Sequence, residues 1–275
     1  MSSQHPCRAA PHAVPPGLTF ARGFTLTEMA VVLLIVAILI AGLVIPLSTQ
    51  QEVKARQDTE KTLSDIREAL LGFAAANGRL PCPATAASNG LEAPVTGGVC
   101  TLSDPADAVP AGFVPGVTLG LAPLDATGRV LDAWGNPVRY AVTNSNSSAF
   151  TTFDGVRNIG MANIALPLLH VCSSGNGMQN AGTASAACPA GGDLTTSAVA
   201  VLHAVGKNAG SGGTGTDERH NPNPNMPSAT LPADRAFVSH QPAPADAPQG
   251  EFDDIVAWLP TSVLYNRMVA AGRLP

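Results

Sequence analysis

The chain has 275 residues, a formal net charge of −5, and only 13% charged and 4% aromatic residues. Because it is acidic and poor in Lys and Arg, it lacks the basic surface that binds phosphate backbones, so we expect no nucleic-acid partner. An apolar fraction of 45% excludes a wholly disordered chain. The 27 Gly and 24 Pro residues predict a loop-rich domain with a modest core.

The first 23 residues are rich in Pro and small polar residues, and they contain Arg8 and Arg22 but no acidic residue. Residues 29–47 then form an uncharged, almost wholly apolar run. As a helix, this run spans roughly 28 Å, about the thickness of the bilayer hydrocarbon. The pattern predicts a single membrane span, with the positively charged N-terminal side kept in the cytoplasm.

Two other interpretations of the apolar run are weaker. A secretory signal peptide has a shorter apolar region followed by a small-x-small cleavage site, and no Ala-x-Ala lies just beyond residue 47. A core helix that is apolar on every side would need a large protein around it. The membrane span therefore remains the preferred interpretation.

The helix is expected to continue beyond the apolar run. Apolar residues recur there at spacings of three and four and line one side of the helix, namely Leu63, Ile66, Leu70 and Phe73. Gly78 follows as a helix stop, and Pro81 prevents a quick resumption. The sequence predicts one continuous helix over residues 25–77, apolar all round in its first half and amphipathic in its second.

The residues at the start of this helix resemble a known processing motif. Residues 22–29 read Arg-Gly-Phe-Thr-Leu-Thr-Glu-Met, which is similar to the class III prepilin motif of a basic leader, Gly, Phe, a Glu at the fifth mature position and an apolar helix. The resemblance implies a type IV pilin or a pseudopilin of type II secretion. It further implies that a prepilin peptidase cleaves between Gly23 and Phe24, and that Phe24 is then N-methylated.

Glu28 is the residue of this motif with the clearest physical role. A carboxylate at the edge of an apolar span is costly unless it has a partner. Cleavage creates an amine at Phe24, and the amine of one subunit could pair with Glu28 of a neighbour, which would favour packed helices. The alternative is that Glu28 is only a helix N-terminal acid at the lipid headgroups. We expect the assembly role.

The cysteines agree with an exported domain. Of the five, Cys7 lies in the predicted leader and four follow the span, where an oxidising periplasm would favour disulfides. Sequence allows three pairings. We prefer Cys82 with Cys100 and Cys172 with Cys188, which close short loops. Zinc binding is not expected, because no Cys-x-x-Cys and no nearby His pair is present.

The expected fold class is α+β. The long helix would pack on a small antiparallel sheet with long loops, the type IV pilin fold that the resemblance implies. Strands are predicted at residues 138–142, 198–205 and 252–259, a C-terminal helix at 262–274, and a long loop at 210–246. The predicted domains are a leader at 1–23, the transmembrane and amphipathic helix at 24–78, and a periplasmic domain at 79–275.

Two short segments of the soluble part extend the resemblance. Residues 132–137 read Asp-Ala-Trp-Gly-Asn-Pro, similar to the Asp-Pro-Trp-Gly-Asn-Pro turn of major pseudopilins, with Ala133 in place of Pro. Residues 205–208, Val-Gly-Lys-Asn, resemble a strand-end turn of the same domain.

The resemblance implies a structural subunit of a type II secretion pseudopilus in the inner membrane, whose partners are the prepilin peptidase and other subunits. Because the soluble part is longer than in a major pseudopilin, a minor type IV pilin stays an alternative.

Neither an enzyme nor a cofactor is expected. The four histidines beyond the leader show no metal-ligand spacing, and neither a nucleophile elbow nor a phosphate loop is present. A membrane-anchored periplasmic enzyme is the remote alternative.

The resemblance to major pseudopilins implies calcium in a C-terminal loop, and suitable oxygen donors exist at Asp217, Glu218, Asp253 and Asp254. Without EF-hand spacing, we assign no ligands.

Overall fold

The computed structural model describes residues 23–166, 168–210, 215–222 and 232–275, and for residues 41–49 it describes the backbone but not the side chains. The predicted leader, residues 1–23, therefore lies outside the described residues except for Gly23. The chain divides into two compact units, Met1–Gln50 and Gln51–Pro275.

The long helix predicted from the apolar run and the amphipathic stripe is confirmed as α1, Leu26–Asn77. It ends where Gly78 adopts a left-handed φ of 68°, and the Gly78 N–H donates to the Ala74 carbonyl at 2.9 Å. A glycine takes this conformation without steric cost, which is why it follows so many helix ends.

Among the described residues, no helix is both long enough and apolar enough to cross a membrane. Of the span predicted at residues 29–47, the side chains of residues 41–47 lie outside those described.

Six strands form one sheet in the second unit. They are β1 Ala111–Phe113, β2 Arg139–Val142, β3 Leu169–Cys172, β4 Asp193–Ala204, β5 Ala236–Val238 and β6 Ile255–Pro260. The order is β1-β2-β4-β3-β5, and β6 also pairs with β4. All these pairings are antiparallel except β3 with β5, which is parallel. The sheet is thus antiparallel-dominated, as predicted, but not purely antiparallel.

Short helices connect the strands. They are α2 Gly116–Leu119, α3 Ser145–Ser148 and α4 Gly155–Ile159, and α5, Thr261–Ala270, follows β6 near the C-terminus. Leu264 and Met268 of α5 are buried, whereas Val263 is exposed. The remaining connections are long loops, two of which are closed by disulfides.

The core of the second unit lies between α1 and one face of the sheet. The buried stripe of α1 comprises Thr59, Leu63, Ile66, Leu70 and Ala74. Its apolar members belong to the same core cluster as Tyr140 of β2, Leu202 of β4 and Leu259 of β6. Each fully buried Leu or Ile contributes about 1.5–3 kcal/mol relative to an exposed one. The predicted stripe is confirmed, except that Phe73 is half-buried and Ala74 takes the contact position.

The predicted strands correspond to β2, β4 and β6, although β4 begins at Asp193, before the predicted residue 198. The long loop predicted at 210–246 is wrong at β5, Ala236–Val238. A strand of three residues shows no alternation, and β5 is held in the sheet by its neighbour β3 rather than by a pattern of its own.

Candidate functional site

The N-terminal end of α1 carries the three residues of the predicted processing site. Glu28 Oε2 accepts hydrogen bonds from the Thr25 N–H and the Thr25 hydroxyl, both at 2.8 Å. In return, the Glu28 N–H donates to Thr25 Oγ1 at 3.2 Å. This reciprocal arrangement is a capping box, in which a Thr before the helix and a Glu three residues later satisfy each other's backbone donors.

The capping box fixes where the helix starts. Gly23, Phe24 and Thr25 precede the helix and have no regular secondary structure. Phe24 is exposed, and among the described residues no atom beyond the chain neighbours of Gly23 lies within 4 Å of the place where its Cβ would stand. The peptide bond between Gly23 and Phe24 therefore lies on open, non-helical backbone that a peptidase could reach.

Glu28 keeps part of its carboxylate for a second partner. The capping hydrogen bonds from Thr25 both go to Oε2, and Oε1 accepts none from the described residues. The alternative role considered for Glu28, a helix N-terminal acid, is thus part of its geometry. The capping box does not use up the carboxylate, so the assembly role remains chemically available.

An uncovered apolar surface follows the motif. Every side chain from residue 23 to residue 40 is exposed, and from Met29 onwards nearly all of them are aliphatic. Exposed apolar surface on this scale marks a contact with a membrane or with other proteins.

The structure joins Cys82 to Cys100 and Cys172 to Cys188, the two local pairs preferred from the sequence. The first bridge closes a loop next to the end of α1. The second ties the end of β3 to the loop that leads into β4. In the chain-entropy model a loop of this size contributes about 3 kcal/mol of stability.

The two segments that resemble major pseudopilins contact each other. Asp132 Oδ1 accepts hydrogen bonds from the N–H groups of Trp134 and Asn136 at 2.9 and 2.8 Å, which fixes the turn. The Asn136 side-chain amide then donates to the Gly206 carbonyl at 2.7 Å. Ala133 stands where the major-pseudopilin turn has a proline. Its N–H donates to Thr59 Oγ1 on α1 at 3.1 Å. A proline there has no such donor.

Three carboxylates meet beside the second of these segments. Side-chain oxygens of Glu218, Asp253 and Asp254 all lie within 4.8 Å of one another. Asp253 Oδ2 accepts hydrogen bonds from the N–H groups of Lys207 and Asn208 at 2.9 and 3.1 Å. Burial, to which the charge of Asp254 adds, raises the pKa of Glu218 to about 7 and the pKa of Asp253 to about 6. This carboxylate trio could hold a hard divalent cation.

Asp217, the fourth acid considered from the sequence, faces elsewhere. Its Oδ1 accepts from the Gly175 N–H at 2.8 Å, and its Oδ2 lies 3.0 Å from His240 Nε2. The trio spans distant parts of the chain, so sequence spacing could not identify it. The sequence showed only that these three residues carry carboxylates, which are suitable oxygen donors.

A second mixed cluster involves the Cys172–Cys188 disulfide. His170, Cys188 and Asp193 each place a ligand atom within 4.8 Å of the others. His170 Nδ1 lies 3.2 Å from Asp193 Oδ1. The sequence analysis looked for a Cys-x-x-Cys motif or a pair of histidines, and this cluster with a single histidine is neither. Pairing of β3 with β4 brings these residues together, which sequence spacing does not show.

A cavity of about 650 Å³ lies between α1 and the sheet. The residues that line it include Leu63, Arg67, His240 and Ile255. His240 is the histidine of this cavity. Its Nδ1 lies 2.7 Å from the Gln241 carbonyl oxygen, and its Nε2 contacts Asp217. Because both ring nitrogens face these oxygens, His240 makes no pair with a serine hydroxyl among the described residues.

Comparison with known families agrees with the N-terminal geometry. The family model described as the prokaryotic N-terminal methylation motif matches residues 19–44. No curated protein and no solved structure matches the chain. The matched segment contains Gly23, Phe24 and Glu28 and the first turns of α1. The chain thus carries the N-terminal motif of a type IV prepilin-like protein.

Proposed function

We propose that this protein is a structural subunit of a type II secretion pseudopilus, made as a prepilin and assembled in the inner membrane. The observation that carries the proposal is the N-terminal methylation motif at residues 19–44. It coincides with a helix that starts at Leu26 and exposes its apolar side chains. A filament subunit needs both features, a processed N-terminus and a helix that packs against other helices.

Processing is proposed at the Gly23–Phe24 bond. A prepilin peptidase would cut this open backbone on the cytoplasmic side, where Arg8 and Arg22 favour retention of the leader. Phe24 would then carry the new, N-methylated amine. Residues 29–47 would remain as the single membrane anchor, and the domain from residue 79 onwards would lie in the periplasm.

Assembly is proposed to depend on Glu28. Its Oε2 caps α1 through Thr25, while Oε1 is left to meet the Phe24 amine of a neighbouring subunit. Both charges are costly in an apolar environment when alone, so the pair favours helices packed in one register. The exposed aliphatic side chains after Met29 supply the packing surface.

The pseudopilus is preferred over a surface pilus because of the turn at residues 132–137. The turn and the segment at 205–208, which both resemble major pseudopilins, are joined through the hydrogen bond from Asn136 to Gly206. The longer soluble part favours the second candidate, a minor type IV pilin. That role would share the processing and the assembly chemistry but serve a surface filament.

A deletion strain of the source bacterium separates the two candidates. We expect loss of secretion of folded exoproteins, measured as their activity in the culture medium, with surface filaments unchanged in electron micrographs. Complementation with the intact gene should restore secretion. Loss of surface filaments with normal secretion would contradict the pseudopilus and favour the minor pilin.

A further inference from the structure

The Cys172–Cys188 disulfide differs from the other disulfide in what surrounds it. His170 and Cys172 lie two residues apart on β3, the spacing that places side chains on one face of a strand. Asp193, the first residue of β4, pairs in register with Cys172. Cys188 approaches from the loop between the two strands and is bonded to Cys172. A histidine, a carboxylate and the Cys188 sulfur therefore lie close together, with the Cys172 sulfur bonded to that of Cys188.

We propose that His170, Cys172, Cys188 and Asp193 form a zinc site when the Cys172–Cys188 disulfide is reduced. This inference goes beyond the proposed function and does not depend on it. Thiolate and imidazole are the donors that Zn²⁺ prefers, a carboxylate commonly completes its shell, and four donors are what a closed tetrahedral site requires.

The geometry is compatible with one ion. The ligand atoms of His170, Cys188 and Asp193 all lie within 4.8 Å of one another, and Cys172 is bonded to one member of this group. Zinc bonds of roughly 2.0–2.3 Å hold tetrahedral donors less than 4.8 Å apart, so these three donors are near the required spacing and Cys172 would complete the set from its place beside Cys188. Cys172 and His170 are buried, whereas the Asp193 side chain is 44% exposed and gives access from solvent.

The reaction balances with a dithiol as reductant. The dithiol passes two electrons and two protons to the disulfide, becomes a disulfide itself, and leaves Cys172 and Cys188 as thiols. Zn²⁺ then displaces the two thiol protons to solvent and binds the thiolates. The link between the end of β3 and the loop that carries Cys188 is thereby kept by the metal instead of the S–S bond.

The other disulfide provides a matched control within the same chain. At Cys82–Cys100 the nearby carboxylate is Glu92, which accepts from the Cys82 N–H at 3.0 Å and is bound by Arg79 at 2.7 and 2.8 Å. No group of three potential ligands forms there among the residues that the structure describes. Reduction of this bridge should create no metal site.

The test uses the full chain in detergent micelles, reduced with a phosphine that does not compete for metal and then titrated with Co²⁺ and Zn²⁺. We expect the reduced protein to bind one metal ion per chain, with thiolate-to-cobalt charge-transfer bands, and the oxidised protein to bind none. The variant C82S/C100S should keep the site. C172S/C188S should lose it.

Two further variants keep the test valid if C172S/C188S does not fold. H170A and D193A leave both cysteines in place and should each weaken Zn²⁺ binding by at least about tenfold. The proposal is overturned if the reduced protein binds no metal. It is equally overturned if H170A and D193A bind Zn²⁺ as tightly as the unmodified chain, or if C82S/C100S removes the site.

Discussion

Glu28 caps the start of α1, and the intermolecular role proposed for it would use the same carboxylate. The capping box explains why a Thr and a Glu stand three residues apart at the start of α1. It also shows that a simple removal of the side chain would test two roles together, because helix capping and charge would be lost at once. Conservative substitution separates them.

We expect E28Q to keep the capping box, since Gln also accepts from an N-cap residue, and to be cleaved and inserted normally. It should nevertheless fail to enter filaments, because it has no charge for a neighbour's amine. E28A should also lose the half of the capping box that Glu28 supplies, while Thr25 keeps its hydrogen bond from the N–H of residue 28. Cross-linking of processed subunits measures assembly. Normal cross-linking of E28Q would leave Glu28 with the capping role alone.

The carboxylate trio makes a second prediction at the residue scale. The pKa of Glu218, raised to about 7 mainly by burial, exceeds its unfolded value of 4.5. The folded state therefore holds the proton more tightly, so this contribution to stability is complete below about pH 4.5 and is lost as the pH rises through about 7.

In a buffer with a chelator, the free energy of unfolding should fall between pH 5 and pH 8 by on the order of 1–3 kcal/mol. E218Q should flatten this dependence, because it removes the titrating group while keeping an acceptor for Asn208. The measurement is urea unfolding followed by tryptophan fluorescence across the pH range. An equally steep dependence in E218Q would show that the trio does not titrate as described.

At the scale of elements, the connection between α1 and the first disulfide loop depends on one buried ion pair. Arg79 directly follows the helix stop and donates to both oxygens of Glu92 at 2.7 and 2.8 Å. Glu92 also accepts from the Cys82 N–H, and both charged side chains are buried. The pair therefore joins the end of the helix to the disulfide-closed loop.

R79A should destabilise the protein by about 3–5 kcal/mol, because it leaves the Glu92 carboxylate buried without its partner. The double variant R79M/E92L should lose less than R79A, since no uncompensated charge remains. Chemical unfolding of the three proteins at one pH checks this. A similar loss in R79A and in the double variant would show that packing, and not the unpaired charge, dominates.

Elements with strong internal patterns were predictable from the sequence. α1 has a three–four periodicity and a glycine stop, and β2 and most of β4 and β6 lie where apolar runs end in turn residues. β1 and β5 have three residues each, too few for a period, and only their neighbours in the sheet define them. The disulfide pairs followed from loop length, because both join cysteines close in sequence.

The candidate sites also differ in whether the sequence alone could reveal them. The motif that contains Gly23, Phe24 and Glu28 could be recognised from the sequence, because the spacing of these residues along the chain is itself the signal. The carboxylate trio and the cluster at His170 could not, because strand pairing and loop closure bring their members together. The adjacent acids Asp253 and Asp254 and the close pair His170 and Cys172 are visible in the sequence. Only the fold brings Glu218 to the first pair, and Cys188 and Asp193 to the second.

At the scale of the whole molecule, we expect the two compact units to have different roles. The N-terminal unit presents uncovered aliphatic side chains, while the second unit has its own core and both disulfides. A filament subunit of this kind would use the first unit to assemble. All of this depends on maturation of the N-terminus.

Mass spectrometry of the protein isolated from membranes of its source bacterium tests that maturation most directly. We expect a chain that begins at Phe24 and carries a methyl group on its amine. Replacing Gly23 with a bulkier residue should leave the precursor uncut in the membrane fraction. A mature protein that still begins at Met1, or one that begins beyond Leu47, would contradict the prepilin account.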